Sequence, residues 1–196
     1  MLAHHDFEGG NALDLRDVGV YRWAEHPSNR IWVMSWTVGP ASGRWSPGDP
    51  DPQPLLDHIR NGGMVGVHNA SFERTMWNRY IRRVLCPQWP ELRAEQQDCT
   101  MARAAVLALP QSLEMIGEVL KAPVQKDMEG NALMKKMAKP RKVHDNGTIE
   151  WWDTVENLAR VGAYCDTDVQ AETAIGDKLM ALSEAEREVW LLDQRI

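Results

Sequence analysis

Hydrophobic and polar positions divide the chain into short apolar runs and longer segments with helical spacing. The runs at 31–38 and 64–67 predict buried strands. Residues 154–182 instead carry apolar side chains at the spacing of one helix face, which predicts a long helix. Shorter strands are predicted at 1–8, 44–45 and 96–100. Further helices are predicted at 55–60, 72–85, 101–109, 113–120, 132–137 and 183–196, and residues 143–153 are predicted to be a polar loop.

Length and composition indicate one globular domain over residues 1–196. The chain has 43% hydrophobic and 26% charged residues, and no apolar run of about 18 residues, so we expect no membrane partner. The three cysteines are too few and too widely spaced for a disulfide framework or a zinc motif, which favours a reducing cytosol. The net charge of −6 argues against a broad duplex-binding surface. Residues 121–142 are locally basic.

Acidic side chains recur at spacings that place them on one face of their element. Asp6 and Glu8 stand two apart on a predicted strand and point the same way. Tyr164 and Asp168 stand four apart on the predicted long helix and share a face. Such groups suit a metal-holding carboxylate with a phenol that orients water. The alternatives are a solvated acidic N-terminus and a surface helix pair.

Asn69 and Glu73 form a third such pair, just after the strand at 64–67. The structural interpretation is an N-cap asparagine followed by an acid in the first helical turn. The functional interpretation has Glu73 facing a pocket at the carboxyl end of the strand.

Taken in order, these segments resemble a known family. DFE, HNASFE and YCDTD resemble the three motifs of the DEDD 3′→5′ exonucleases, and the Tyr-x-x-x-Asp form marks the tyrosine subclass. The resemblance extends to the proofreading domain of phage-type family A DNA polymerases. It rests on further blocks spread along the chain: DVGVYRWAEHPS, RWSPGDP, HNASFERTMWN, CTMARAAVLALPQSLE, LMKKMAKPR and WLLDQRI.

The resemblance implies a ribonuclease H-like α/β fold, with a mixed sheet of about five strands flanked by helices. WLLDQRI resembles the point at which that family continues into its polymerase domain. These residues leave no room for palm, fingers and thumb, so we expect polymerisation to reside elsewhere, in a separate polymerase chain.

The resemblance also implies two-metal hydrolysis of phosphodiester bonds, with two Mg²⁺ or Mn²⁺ ions about 4 Å apart. Asp6 would bridge both ions. Glu8 and Asp168 would complete the ion that activates water, and Tyr164 would orient that water. Glu73 would hold the second ion. Hard cations prefer oxygen ligands, and we expect a site of carboxylates without cysteine.

The expected substrate is the 3′ end of single-stranded DNA. Asn69 and Phe72 would contact the terminal nucleotide or shape the pocket, with core packing as the alternative for Phe72. Lys126, Arg141 and Lys142 would meet the backbone of the strand. The alternative for these basic residues is a solvated loop.

The sequence departs from the family pattern at a few positions. Position 73 is Glu where many members have Asp, and Gly9 stands where Thr is usual. His4 and His5 replace apolar residues before Asp6, so we expect the first strand to be short and frayed. These histidines with Asp6 also raise a zinc site as an alternative.

The favoured function is therefore a proofreading-type 3′→5′ exonuclease in the cytoplasm of a bacterium or a phage-infected cell. One alternative is an RNA-trimming enzyme of ribonuclease D type, which shares the three motifs. Another is a weak or inactive domain that binds single strands within a split polymerase, which a defective first strand would favour.

Overall fold

Five strands form one mixed sheet at the centre of the structure. The computed structural model describes residues 1–124 and 127–195. The strands are β1 (Leu2–Gly10), β2 (Arg30–Val38), β3 (Ala41–Trp45), β4 (Met64–Val67) and β5 (Gln97–Cys99), in the order β3-β2-β1-β4-β5. β2 pairs antiparallel with β1 and β3, whereas β4 pairs parallel with β1 and β5. The predicted α/β class is confirmed, and the sheet is consistent with a ribonuclease H-like fold.

Helices flank this sheet and fill the connections between its strands. They are α1 (Leu15–Glu25), α2 (Gln53–Arg60), α3 (Ala70–Thr75), a π-helix (Met76–Leu85), α4 (Thr100–Val106), α5 (Leu113–Val119), α6 (Met128–Met137), α7 (Val155–Gly176) and α8 (Glu184–Asp193). The predicted long helix corresponds to α7, which buries Val161, Cys165 and Val169 and packs across β1 and β2. Strand β4 has the predicted bounds.

Two segments differ from the sequence expectation. The polar loop predicted at 143–153 contains most of a small hairpin, in which β6 (Lys142–Val143) pairs with β7 (Ile149–Glu150). The helix predicted over 72–85 is α-helical only to Thr75 and continues as the π-helix. Its widened turns are visible at the end, where the N–H of Cys86 donates to the carbonyl of Ile81 at 2.7 Å.

The expectation of a short, frayed first strand is wrong. β1 is the central strand, paired with β2 along most of its length and with β4 at its start. His4 is buried, and its Nδ1 lies 2.8 Å from Glu172 Oε1 in α7. His5 is fully buried and stacks on Trp77, with ring centroids 5.3 Å apart. The polar side chains that suggested fraying are therefore packed inside the fold.

Tryptophans hold the core on both sides of this sheet. Trp45, Trp77 and Trp89 are nearly inaccessible and pack in series, with neighbouring ring centroids 4.7 and 5.0 Å apart. A separate cluster joins Trp32 and Trp151 with apolar residues of α6 and α7. Gly10, the last residue of β1, approaches the Trp151 ring too closely to carry a side chain. The second cluster, which includes residues of α6, therefore packs directly against the end of β1.

None of the described helices is both long enough and apolar enough to cross a membrane. The cysteines Cys86, Cys99 and Cys165 are free and buried.

Replacing His5 with leucine is expected to make the protein more resistant to acid. Neither ring nitrogen of His5 has a hydrogen-bond partner among the described residues. Burial, followed by the nearby His4, lowers the pKa of His5 from 6.5 to about 3. Between these pH values the unfolded chain takes up a proton that the folded protein excludes. The wild type therefore loses stability as pH falls through that window.

Urea unfolding in EDTA, at about pH 7.5 and about pH 5.5, measures this effect. Between about pH 7.5 and about pH 5.5, the difference in unfolding free energy between the two proteins should shift in favour of His5→Leu by about 1.4 kcal/mol. The same pH dependence in both proteins would contradict a buried, neutral His5.

Candidate active site

The candidate active site is a cavity of about 480 Å³ at the end of the short strand β4. β4 pairs with β1 only from Leu2 to His4, so the stretch of β1 from Asp6 onward runs past its end. That stretch keeps β2 on one side, where Asp6 lies opposite Ser35, and faces the cavity on the other. The topology thus leaves room beside β1 for side chains from other elements.

The predicted carboxylates and the tyrosine all line this cavity, together with both predicted pocket residues. They are Asp6, Glu8, Asn69, Phe72, Glu73, Tyr164 and Asp168. Strand alternation places Asp6 and Glu8 on one side of β1. Helix α3 supplies Glu73 directly after β4, and α7 supplies the remaining pair. The structure therefore brings together residues from the beginning, the middle and the end of the chain.

Asn69 has the structural role predicted for it and also borders the cavity. It is the N-cap of α3, and its side-chain oxygen accepts the N–H of Phe72 at 3.4 Å. This cap starts the helix at the point that carries Glu73 into the cavity. Phe72 is half-buried, and its ring lies 5.9 Å from that of Trp23, centroid to centroid. It belongs to the edge of the core and forms part of the cavity wall.

Tyr164 and Asp168 share one face of α7, as their spacing predicted. The two side chains are hydrogen-bonded to each other, and both residues are buried. Burial is the main cause that raises the pKa of Tyr164, and the negative charges of Glu8 and Asp168 add to it. The phenol is therefore a neutral hydrogen-bond donor near neutral pH.

The cavity has a strong excess of negative groups. Burial raises the pKa of Glu73 well above its ordinary value, and the charge of Asp6 is the next cause. Lys139 is the cation among the described lining residues, and its ammonium lies 3.6 Å from Asp14. His5 Nδ1 lies 3.7 Å from Glu73 Oε2, but this contact joins two groups that burial keeps neutral. Within the described lining, five carboxylates therefore face one ammonium group.

The carboxyl groups that line this cavity fit a metal ion. Oε2 of Glu73 is buried and makes no hydrogen bond to any described residue, so a bound cation would supply its missing partner. One ligand atom each from Asp6, Glu8 and Cys165 lies within 4.8 Å of the others. This buried Asp/Glu/Cys cluster could hold a metal ion.

The expectation of a site without cysteine is wrong. Cys165 Sγ lies 3.3 Å from the backbone oxygen of Asp6 and 3.7 Å from its Oδ2. Burial raises the pKa of the Cys165 thiol, with Asp6 and Glu8 as further causes, so the group is a neutral thiol. In the sequence, Cys165 belongs to the apolar face of α7. Its approach to Asp6 depends on how α7 crosses β1, which spacing does not reveal.

The zinc alternative built on His4, His5 and Asp6 receives no support. His4 is bonded to Glu172, and His5 is packed against Phe7 and Trp77. Within residues 1–124 and 127–195, the cluster with metal-ligand spacing contains Asp6 but neither histidine.

Two of the predicted strand-binding residues, Arg141 and Lys142, do not line the cavity. Lys126 lies outside the described residues. Arg141 and Lys142 are exposed at the start of the hairpin. Sequence reasoning missed Lys139, which does line the cavity, and Lys136, whose Nζ lies 4.0 Å from the ring centroid of Trp152. Both residues belong to the basic run at 121–142, and this run was the sequence feature that could have identified them.

No protein-family model matches the chain, and a search of curated proteins finds no significant relative.

Adding Mn²⁺ is expected to raise the melting temperature, because the ion binds the folded site and not the unfolded chain. Its apparent affinity should rise with pH, by up to about tenfold per pH unit, because Glu73 must give up a proton to bind metal. Thermal unfolding at several Mn²⁺ concentrations and pH values measures both effects.

Two variants and a control define the site. Asp6→Asn should abolish the Mn²⁺ shift, and Glu73→Gln should weaken it and flatten its pH dependence. Asp145→Asn, on the exposed hairpin, should behave like the wild type. Equal shifts in all four proteins would show that Mn²⁺ binds elsewhere.

Proposed function

We propose that this chain is a metal-dependent 3′→5′ exonuclease that removes nucleotides from the end of single-stranded DNA. One observation carries the proposal: the carboxyl groups of Asp6, Glu8, Glu73 and Asp168 meet Tyr164 at one cavity. A cluster of carboxylates at one cavity suits multivalent cations, and hydrolysis of a phosphodiester is the chemistry that paired Mg²⁺ or Mn²⁺ ions support.

Four acidic residues would hold two ions between them. Asp6 lies at the centre of the sheet and would be shared between them. Glu8 and Asp168 would complete the ligands of the ion that activates water, and Glu73 would hold the other ion. When bound, the ions activate water and stabilise the charge that develops on the phosphate oxygens.

Tyr164 acts as a positioning donor in this proposal. Its raised pKa excludes a phenolate near neutral pH, so it does not serve as a general base. Its hydrogen bond to Asp168 fixes the hydroxyl beside the carboxylates. From there it can orient the attacking water towards the phosphorus.

The cavity wall suits a nucleotide with an unpaired base. Leu13, Trp23 and Phe72 provide apolar surface next to the acids, which favours stacking of a base. Duplex ends would have to separate before a terminal nucleotide entered. The favoured substrate is therefore a single strand.

Basic groups beside the cavity support contact with the rest of the strand. Lys139 lines the cavity, and Lys136 and Arg141 lie over the Trp152 ring, the latter with Cζ 5.2 Å from its centroid. Together with Lys142 they form a basic and aromatic surface of the kind that binds single strands.

The alternatives remain proposals of lower rank. The reason for favouring an inactive binding domain was a defective first strand, and β1 is the central strand, paired with β2 along most of its length and with β4 at its start. An RNA-trimming activity would use the same acids and differ in contacts to the 2′-hydroxyl. We place a proofreading role beside a polymerase chain in a reducing bacterial or phage-infected cytoplasm, which the buried free cysteines support.

The decisive experiment is digestion of a 5′-labelled single-stranded DNA with Mg²⁺ or Mn²⁺. We expect a ladder that shortens from the 3′ end and stops with EDTA. Asp168→Ala should lower the rate by about 10³-fold or more, because a metal ligand is lost. Tyr164→Phe should lower it by about 10- to 100-fold, since it removes only the orienting hydroxyl.

Asp145→Asn is the matched control and should retain full activity. The same oligonucleotide made as RNA separates the ribonuclease alternative, since faster digestion of RNA would support it. If the DNA and the RNA both stay intact with folded, Mn²⁺-binding protein, the enzyme proposal is overturned and the binding domain is favoured.

A further inference from the structure

A second cavity, of about 310 Å³, is lined by four arginines. Arg74, Arg79, Arg82 and Arg83 border it, with Asn78 and Glu91 among their neighbours. We call it the arginine cavity. It shares no described lining residue with the candidate active site, although Glu73 and Arg74 are adjacent in the chain.

The π-helix carries three of these arginines, and Arg74 lies in the last turn of α3 just before it. The i→i+5 hydrogen bonds of the π-helix widen each turn, so residues four and five apart share a face. Arg74 and Arg79 are five apart, and Arg79 and Arg83 are four apart. In a regular α-helix, Arg74 and Arg83 would point in opposite directions, because nine residues make about two and a half turns.

The positive charge at this cavity is only partly compensated. Glu25 pairs with Arg79 at 2.6 Å and with Arg83 at 3.3 Å. Neither Arg74 nor Arg82 has a carboxylate within 4.0 Å among residues 1–124 and 127–195. Two guanidinium groups thus face a shared cavity without a paired carboxylate, and Glu91 is the carboxylate among the described lining residues.

Neutral partners hold these two side chains in place. Arg74 donates to Oε1 of Gln97 at 2.8 Å and to Oε1 of Gln194 at 3.0 Å. Arg82 donates through Nε to the carbonyl of Trp89 at 3.0 Å, which leaves its terminal nitrogens for another acceptor. Arg74 is half-buried, and the charge of Glu95 offsets only part of the desolvation of its guanidinium. A bound anion would relieve both this cost and the repulsion among the arginines.

We propose that the arginine cavity is a phosphate-binding site. One guanidinium fork can bind a carboxylate, but several forks around one concave space match the additional oxygens and the higher charge of a phosphate. The phosphate could belong to a nucleic-acid strand or to a free phosphate compound. This proposal does not depend on the exonuclease activity, because it rests on different residues and requires no metal.

The first test measures pyrophosphate binding by thermal shift and by titration calorimetry, with EDTA present so that the candidate active site holds no metal. Pyrophosphate should raise the melting temperature of the wild type. Arg82→Gln and Arg74→Gln should each weaken its binding by about tenfold or more. Arg82→Lys should recover only part of the affinity, because it restores the charge without the fork.

Arg16→Gln is the matched control, since Arg16 is exposed on α1 and lines neither cavity. It should bind pyrophosphate like the wild type. Arg82→Gln decides the result if Arg74→Gln does not fold. Absent pyrophosphate binding, or equal binding by Arg82→Gln and Arg16→Gln, would overturn the proposal.

A second measurement identifies the source of the phosphate. Anisotropy of a labelled single-stranded DNA in EDTA should show weaker binding to Arg82→Gln and a smaller salt dependence than wild type if a strand occupies the cavity. Unchanged strand binding, with lost pyrophosphate binding, assigns the cavity to a free phosphate compound.

Discussion

Several carboxyl groups are buried together at one end of the sheet, and their mutual repulsion is the constraint that the rest of the structure must meet. Two unit charges 4 Å apart repel by about 4 kcal/mol at an effective dielectric constant of 20. The protein answers by keeping Glu73 neutral and by sharing a hydrogen bond between Tyr164 and Asp168. The protein tolerates such a cluster because the scaffold of strands and helices around it holds the carboxyl groups rigidly.

The rigidity of that scaffold comes from contacts directly below the acids. β1 is held on both sides by other strands, and His4 joins it to Glu172, one helical turn after Asp168. This buried contact sets how far α7 can slide along β1. The relative positions of Asp6 and Asp168 therefore follow from a histidine that sequence reasoning treated as a weakness.

The predictable parts of the site follow local periodicity. The alternation of a strand relates Asp6 to Glu8, and the pitch of a helix relates Tyr164 to Asp168. The parts that were missed depend on tertiary packing. Cys165 contacts Asp6 only because α7 crosses β1. His4 can be buried only because Glu172, which lies far away in the sequence, contacts its ring. The two-residue strands of the hairpin are too short to show alternation.

The π-helix also bears on how this chain can change length during evolution. Helices seldom accept the loss of a residue, because each α-helical residue turns the chain by about 100°. The widened turns between 76 and 85 differ, since losing one residue there would bring them towards α-helical geometry. Arg74 and Arg83 would then stand eight residues apart, which in an α-helix is about 80° around the axis. Both arginines would stay near one face, and Glu73, which precedes the change, would keep its place.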